Sequence, residues 1–233
     1  MCRLRKIFVK ILLVSLIYIA LFQLNILCAE VVFLKYEDEE VQLDIYNPNK
    51  FYCPVVILIH GAAGIKGDRA VRYKRFATDL MNRGIIAINV HYFDSRRENW
   101  IKSIVKTIDY AEDIHNADRE KIGLIGYSLG GTIALKVASL DDRVKLLIVN
   151  SGYLPTGFTK EDAANLPETY MVAGTADSAI NTLYQLQGWF EELDKPFTAK
   201  ILKGYGHSVP IKLFWRNWER IVSFVVDKFR SEY

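Results

Sequence analysis

The pentapeptide Gly-Tyr-Ser-Leu-Gly at positions 126–130 constrains the fold of this chain more than any other feature. It follows the apolar run 122–125 and leads into the apolar-striped run 129–140. This setting predicts a strand, a tight turn and a helix in direct succession, because Gly126 and Gly130 leave room where a side chain would clash. Ser128 is then held at the tip of the turn, away from the body of the protein.

Apolar runs alternate with amphipathic stripes along the rest of the chain. Strands are predicted at 31–36, 41–46, 55–59, 85–90, 122–125, 144–149, 169–173 and 197–202. Helices are predicted at 68–83 and 129–140, with further apolar helical faces within 101–111, 183–193 and 214–225. Strands alternating with helices of this length indicate an α/β fold with a mostly parallel sheet covered on both faces. The segments between elements leave no room for a large cap domain, and Ser151–Pro167 is the longest candidate lid.

The first 29 residues differ in character from the remainder. A basic start with Arg3, Arg5, Lys6 and Lys10 precedes a short apolar core at 11–22. This pattern predicts a secretory signal peptide over 1–29, cleaved after Ala29, and a single domain over 30–233. The alternative is an uncleaved membrane anchor over 7–29, and that segment is then the chain's one contact with a membrane. The protein is accordingly expected in the cell envelope, the periplasm or the medium.

Charge and cysteine content exclude two further classes. Removing the four basic residues of the leader from the 30 in the chain leaves 26 against 27 acidic residues, a net charge of −1. Such a balance offers no electrostatic basis for binding nucleic acid. Cys53 is then the one remaining cysteine, so the fold does not rest on internal disulfides. No indication of oligomeric state is found in the sequence.

Three residues with complementary chemistry each follow a predicted strand: Ser128, Asp177 and His207. The carboxyl ends of parallel strands meet at one edge of a sheet, where reactive groups collect. A serine is a weak nucleophile unless a base takes its proton, and an imidazole oriented by a carboxylate supplies that base. The pattern predicts Ser128 as nucleophile, His207 as general base and Asp177 as the orienting acid. Asp162 is the alternative acid.

The segment His60-Gly61-Ala62-Ala63-Gly64 directly follows the predicted strand 55–59. Acyl transfer through Ser128 requires two N–H donors for the developing oxyanion. The backbone N–H groups of Leu129 and Ala62 are the predicted donors, because small side chains leave the backbone of this loop accessible.

The motifs HGAAG, GYSLGG, GTAD and GYGH, at 60–64, 126–131, 174–177 and 204–207, resemble those of the α/β-hydrolases. Among the α/β-hydrolases, the chain resembles the dienelactone hydrolase family in its serine branch, over roughly residues 31–233. The resemblance implies an eight-stranded sheet, hydrolysis of ester-type bonds and no cofactor.

The chain also departs from dienelactone hydrolase itself. That enzyme has a cysteine at the position of Ser128, a glutamate at that of Gly61 and an arginine at that of Ile211. Its clamp for a substrate carboxylate is therefore not expected in this chain.

Four residues near the predicted site are candidates for substrate contact. Arg96 and Arg97 follow a strand and could bind an acidic substrate, with a solvated surface pair as the alternative. Tyr127 adjoins the serine. His60 is expected to shape the oxyanion loop, with substrate contact as the alternative.

The sequence thus predicts a serine hydrolase that cleaves small carboxylic esters or thioesters through an acyl-enzyme intermediate. No metal-ligand spacing, phosphate-binding loop or dinucleotide motif is present. The alternatives are a peptidase of the prolyl-oligopeptidase-like kind and a non-catalytic binding module on a hydrolase scaffold.

Overall fold

A computed structural model describes residues 29–207 and 211–230. Within these residues, eight strands form one sheet in the order β1-β2-β4-β3-β5-β6-β7-β8. The strands are β1 (Glu30–Tyr36), β2 (Glu39–Tyr46), β3 (Cys53–Ile59), β4 (Ile86–Val90), β5 (Ala117–Tyr127), β6 (Val144–Asn150), β7 (Glu168–Gly174) and β8 (Phe197–Leu202). The helices are α1 (Asp68–Asn82), α2 (Trp100–Asp113), α3 (Leu129–Leu140), α4 (Lys160–Ala164), α5 (Ile180–Glu192) and α6 (Ile211–Arg230), and two 3₁₀ turns occupy Tyr92–Asp94 and Arg97–Asn99.

The sheet is mostly parallel, as predicted. β1 pairs antiparallel with β2, and β2 pairs antiparallel with β4. The remaining pairs, from β4 through β3, β5, β6 and β7 to β8, are parallel. All eight predicted strands are found. β5 begins at Ala117, five residues before its predicted start at Ile122, because the four consecutive charged residues 118–121 hide its first half in the sequence.

The central strand β3 is buried on both faces, which explains its unbroken apolar sequence. Val55 and Ile57 are fully buried, and their neighbours Val56 and Leu58 are buried on the opposite face. A parallel sheet at this depth needs helices on both sides. The alternation of side chains therefore divides the core into two layers.

One layer lies under α1 and α6, and we call it the α1/α6 face. It includes Phe76 and Leu80 of α1, and Trp218 and Val222 of α6. The other layer lies under α2, α3 and α5, with Phe190 of α5 among its fully buried side chains. Because the central strands are parallel, the loops that follow them and the helices that begin after those loops lie at the carboxyl edge of the sheet.

The candidate lid at 151–167 is anchored along its second half. Phe158 and Leu166 are buried in the core, and α4 lies between them. The Thr159 side chain caps α4, accepting from the Asp162 N–H while the Asp162 carboxylate accepts from the Thr159 N–H. This capping box fixes the start of the helix. The part of the segment left to face the carboxyl edge is therefore 151–157.

Of the predicted leader, only Ala29 lies within the described residues; the signal peptide and anchor interpretations fall outside them. No helix of the described ranges is both long and apolar enough to cross a bilayer.

We expect Ile57→Ala to lower the free energy of unfolding by about 2–5 kcal/mol, because a fully buried side chain leaves a cavity that the central strands cannot fill. Urea unfolding followed by circular dichroism measures the loss. The control is Val31→Ala on the outer strand β1, where the side chain is half exposed. Equal losses for the two variants would contradict the central position of β3 in the core.

Candidate active site

Ser128 occupies a strained turn between β5 and α3. Its φ of 53° and ψ of −119° lie in a region that residues other than glycine rarely adopt. Two backbone hydrogen bonds hold the turn: the Ser128 N–H donates to the Asn150 carbonyl at 2.8 Å, and its carbonyl accepts from the Thr132 N–H at 3.1 Å. The serine is thereby fixed at the carboxyl edge of the sheet.

The two glycines of the pentapeptide are required by close backbone contacts. A Cβ at Gly126 would lie 2.3 Å from the Gly130 carbonyl oxygen, and one at Gly130 would lie 2.2 Å from the Ile59 carbonyl oxygen. Both obstacles are backbone atoms, which cannot rotate away. The turn therefore packs against itself, as the sequence predicts, and it also packs against the end of β3.

The structure brings together the three residues predicted from the strand ends. Ser128 Oγ lies 2.8 Å from His207 Nε2. On the other side of the ring, His207 Nδ1 lies 3.1 Å from both carboxylate oxygens of Asp177. In this order the imidazole can take the hydroxyl proton through Nε2 while Nδ1–H donates to the carboxylate.

Asp177 is buried, with 3% of its surface exposed, yet it stays acidic. Burial raises the pKa of its carboxyl group, but hydrogen bonds to the carboxylate, first among them that from the Ala179 N–H, and the nearby His207 together outweigh burial, so the net pKa lies below the ordinary value. The Ala179 N–H donates to Oδ1 at 3.0 Å. The carboxylate is therefore ionised at neutral pH and positioned to hold one orientation of the imidazole.

Asp162, the alternative acid, is bound elsewhere. Its carboxylate caps α4 through Thr159 and lies 3.3 Å from Lys136 Nζ. These partners occupy the oxygens that an orienting acid would direct at His207.

Tyr153 joins the site without having been predicted. Its hydroxyl lies 3.2 Å from Ser178 Oγ, 3.4 Å from His207 Nδ1 and 3.5 Å from Asp177 Oδ1. Its ring is nearly parallel to the imidazole, at 19° and a centroid distance of 5.8 Å. The one signal in the sequence is its place just after β6. Tyr153 thus covers the Asp177 side of the imidazole.

The loop 60–64 lies beside the serine. Its turn is closed by the Gly64 N–H, which donates to the Gly61 carbonyl at 3.0 Å. A Cβ at Gly61 would lie 3.3 Å from Ser128 Cβ, so a side chain there would crowd the serine. Ala62 is exposed in this turn, and Leu129 is the first residue of α3, where N–H groups have no partner within the helix. Their role as oxyanion donors stays a prediction.

His60, the first residue of that loop, is buried, with 1% of its surface exposed. Nδ1 is 2.8 Å from the Gly61 carbonyl oxygen, and the ring stacks on Tyr92 at a centroid distance of 4.2 Å. Burial lowers its pKa to about 4, so the ring is neutral at physiological pH. A ring so enclosed has no surface to offer a substrate. The structure supports loop shaping and not substrate contact for His60.

Tyr127 supports the histidine loop from the other side of the turn. Its hydroxyl donates to the His207 backbone carbonyl at 3.0 Å, and its half-buried ring points toward the α1/α6 face. This hydrogen bond accounts for its position, and direct contact with a substrate stays a prediction.

The two arginines contact other parts of the structure. Arg96 pairs with Glu39 at 2.6 Å and with Asp38 at 3.0 Å, at the β1–β2 turn. The Arg97 guanidinium lies over the Trp100 ring, 5.8 Å from its centroid. β2 is three strand positions from β5, roughly 14 Å at the usual strand spacing. The predicted contact of Arg96 with substrate at Ser128 is therefore not supported, because Arg96 stabilises the hairpin instead. Contact of Arg97 with substrate stays a prediction.

Within the part of the chain that the structure describes, no group of three or more His, Cys, Asp or Glu side chains could hold a metal ion. Cys53 is buried and unpaired.

Because His60 is buried in its neutral form, we expect the folded protein to lose stability in acid. The unfolded chain takes up a proton near the ordinary pKa of 6.5, whereas the folded protein does so only near 4. The unfolded state therefore binds more protons in this window, and the free energy of unfolding falls by up to about 3 kcal/mol as the pH drops from 6.5 to 4. Urea unfolding at pH 7.0 and 4.5 should show a smaller difference for His60→Gln than for wild type.

The matched control is His115→Gln, since His115 is exposed. This variant should keep the pH dependence of the wild type. An unchanged pH dependence in His60→Gln would refute the neutral, buried state of His60.

Comparisons with known proteins agree with this geometry. A family model described as BD-FAE matches residues 43–164, just over half of the 233 residues, and this range contains the loop 60–64 and Ser128. A protein named "Putative esterase/lipase" from Haemophilus influenzae is 30% identical over 122 residues, covering 48% of this chain and 39% of that protein. The alignments span between 14% and 42% of the lengths of the curated relatives.

Solved structures confirm the α/β-hydrolase fold. A structure from a study of two esterases of Rhizomucor miehei superimposes with a TM-score of 0.72 at 15% identity, covering 88% of this chain and 87% of that one. A structure described as "Putative Dienelactone Hydrolase" from Klebsiella pneumoniae superimposes with a TM-score of 0.69 at 14% identity, covering 88% of this chain and 98% of that one. The same sheet and helix layers are therefore found in these proteins.

Proposed function

We propose that this chain, which belongs to the BD-FAE family, is a serine hydrolase that cleaves small carboxylic esters or thioesters through an acyl-enzyme intermediate. The hydrogen-bonded series from Asp177 through His207 to Ser128 carries this proposal. Each member supplies what the next requires: a carboxylate for the imidazole, and an imidazole for the hydroxyl.

In the proposed first step, His207 Nε2 takes the Ser128 proton as Oγ bonds to the substrate carbonyl carbon. The carbonyl oxygen becomes an oxyanion, which the N–H groups of Leu129 and Ala62 would stabilise. The C–O or C–S bond to the leaving group then breaks, and the imidazolium returns the proton to the departing alcohol or thiol. Water repeats the sequence, releasing the acid and restoring Ser128.

The surroundings of the serine leave a clear approach for a small ester. The longest loop near it is pinned at α4, and a Gly61 without a side chain keeps the approach to Ser128 clear. The names of the relatives, an esterase/lipase among them, support an ester as the bond cleaved. They leave the acyl and alcohol parts open, because one scaffold hosts many activities. Export through residues 1–29 likewise stays a prediction.

The first test uses the purified chain with p-nitrophenyl acetate and a fluorophosphonate probe. We expect turnover of the ester and covalent labelling by the probe. Ser128→Ala should abolish labelling and lower turnover by at least about 10³-fold, because the attacking oxygen is gone. Absorbance at the nitrophenol band and mass spectrometry of the labelled peptide measure the two effects.

The outcomes separate the alternatives. Labelling at Ser128 with turnover of dipeptidyl p-nitroanilides but not of esters would indicate the peptidase. Neither labelling nor turnover would contradict catalysis and favour the binding module. Ser139→Ala is the matched control, since that hydroxyl is buried on α3 and donates to the Lys136 carbonyl. It should keep both labelling and turnover.

The second test concerns the acid. Asp177→Asn should lower kcat by about 10³–10⁴-fold, because an amide at this position favours the wrong imidazole tautomer. Asp162→Asn should lower kcat less than about tenfold and show its effect in stability instead, since its carboxylate caps α4. Steady-state kinetics with p-nitrophenyl acetate compare the two. The reverse ranking would assign the orienting role to Asp162.

A further inference from the structure

A cavity of about 290 Å³ lies on the α1/α6 face, next to the serine turn. Alternation along the strands explains its position. Leu58, Ile125, Tyr127 and Asn150 stand at the carboxyl ends of β3, β5 and β6 on the side that faces α1 and α6. Tyr127 lines the cavity, while the next residue, Ser128, points to His207. The cavity is therefore adjacent to the proposed catalytic residues and separate from them.

Aromatic side chains form much of the cavity wall. Tyr73 and Phe76 of α1 line it together with Trp218 of α6. The Phe76 and Trp218 rings pack at a centroid distance of 4.1 Å, and Trp218 Nε1–H donates to Asp79 at 3.1 Å. These contacts fix the wall in place. A flat ring fits such a wall well.

Two buried amide oxygens in the cavity have no hydrogen-bond partner within the described part of the chain. Asn150 and Asn217 are each 5% exposed, and both line the cavity. The Oδ1 atom of each is buried and has no hydrogen-bond partner among the residues that the structure describes. Buried amides are nearly always paired, because an unpaired one destabilises the fold. Two of them around one cavity indicate that a ligand with hydrogen-bonding groups completes the site.

Two guanidinium groups add positive charge to the same cavity. Arg69 Nε donates to the Gly64 carbonyl at 3.1 Å, and Arg72 Nε donates to the Asp68 carbonyl at 3.4 Å. Both side chains line the cavity. Among residues 29–207 and 217–230, neither pairs with a carboxylate within 4.0 Å. Their terminal N–H groups are thus left for an anion.

We propose that this cavity binds a small organic acid, a hydroxylated ring with one carboxylate. The carboxylate would pair with Arg69 and Arg72, the ring would lie against the aromatic wall, and hydroxyl groups would meet Asn150 and Asn217. The volume is at the lower end of ligand pockets, which suits a single ring.

The cavity is joined to the serine turn by two hydrogen bonds. The Asn150 carbonyl accepts from the Ser128 N–H, and the Tyr127 hydroxyl holds the His207 carbonyl. The carboxylate has two possible sources, a second acid group on the substrate itself or a separate small molecule. The chemistry of recognition is the same for both. Binding itself does not depend on hydrolysis by Ser128.

The probe is 4-hydroxybenzoate, with 4-hydroxybenzamide as its neutral counterpart, titrated by calorimetry into wild type and Ser128→Ala. We expect saturable one-site binding of the acid to both proteins and binding of the amide at least about tenfold weaker, the value of a charged hydrogen bond. Arg69→Gln and Arg72→Gln should each weaken binding of the acid by at least about tenfold. Arg75→Gln, which removes a charge from the same helix outside the cavity, should leave binding unchanged.

Asn217→Leu separates binding from folding. This variant should weaken binding of the acid. It should keep or raise the melting temperature, because it removes a buried amide oxygen that has no partner in the described structure. No saturable binding at millimolar acid, equal binding of acid and amide, or an equal loss in Arg75→Gln would each overturn the proposal. Binding to Ser128→Ala without any esterase activity in wild type would leave this site standing and remove the proposed function; the reverse result would do the opposite.

With active enzyme, the effect of the acid on p-nitrophenyl acetate hydrolysis identifies its source. A rise in KM alone assigns the carboxylate to the substrate, and a change in kcat alone assigns it to a separate molecule. No change in either constant at saturating acid would overturn the connection between the cavity and Ser128.

Discussion

The close approach of the β5–α3 turn to the end of β3 is the constraint on which the rest of the structure depends. It brings Gly130 so near the Ile59 carbonyl that no side chain fits between them. Because of this contact, the loop that follows β3 lies directly beside Ser128. Ser128, the proposed nucleophile, and its predicted oxyanion donors therefore share one fixed backbone frame. The strained φ of Ser128 is maintained by the packing of this frame and by the hydrogen bond to β6.

The β5–α3 turn directs two neighbouring side chains to different sides of the sheet edge. Ser128 is directed at His207, and Tyr127 is directed at the α1/α6 face, where the cavity lies. The His207 loop is in contact with both sides, because its side chain meets Ser128 and its carbonyl accepts from Tyr127. A small displacement of Tyr127 would thus reach the imidazole through a single hydrogen bond. This is the physical basis on which a ligand of the cavity could alter chemistry at the serine.

The strands, the glycine turn and the Ser–Asp–His series could be read from the sequence because each has a local pattern. Apolar runs mark buried strands, and the turn requires glycines at fixed spacing. The place of Arg96 could not be read from the sequence, because its partner Glu39 is 57 residues away and the pairing depends on the antiparallel β1–β2 hairpin. Tyr153 was missed for a similar reason. It reaches His207 only after β6 and β8 are set in one sheet.

Burial decides the charge state of His60. A cation at His60, the first residue of the loop 60–64, would itself attract an oxyanion at Ser128, but desolvation keeps the ring neutral at physiological pH. In the proposed mechanism the oxyanion is then stabilised by N–H dipoles that are already in place before the reaction. The positive charge arises only on His207, next to the ionised Asp177. The depth of His60 in the fold therefore keeps it a neutral support, and the proposed mechanism leaves the transfer of the proton to His207.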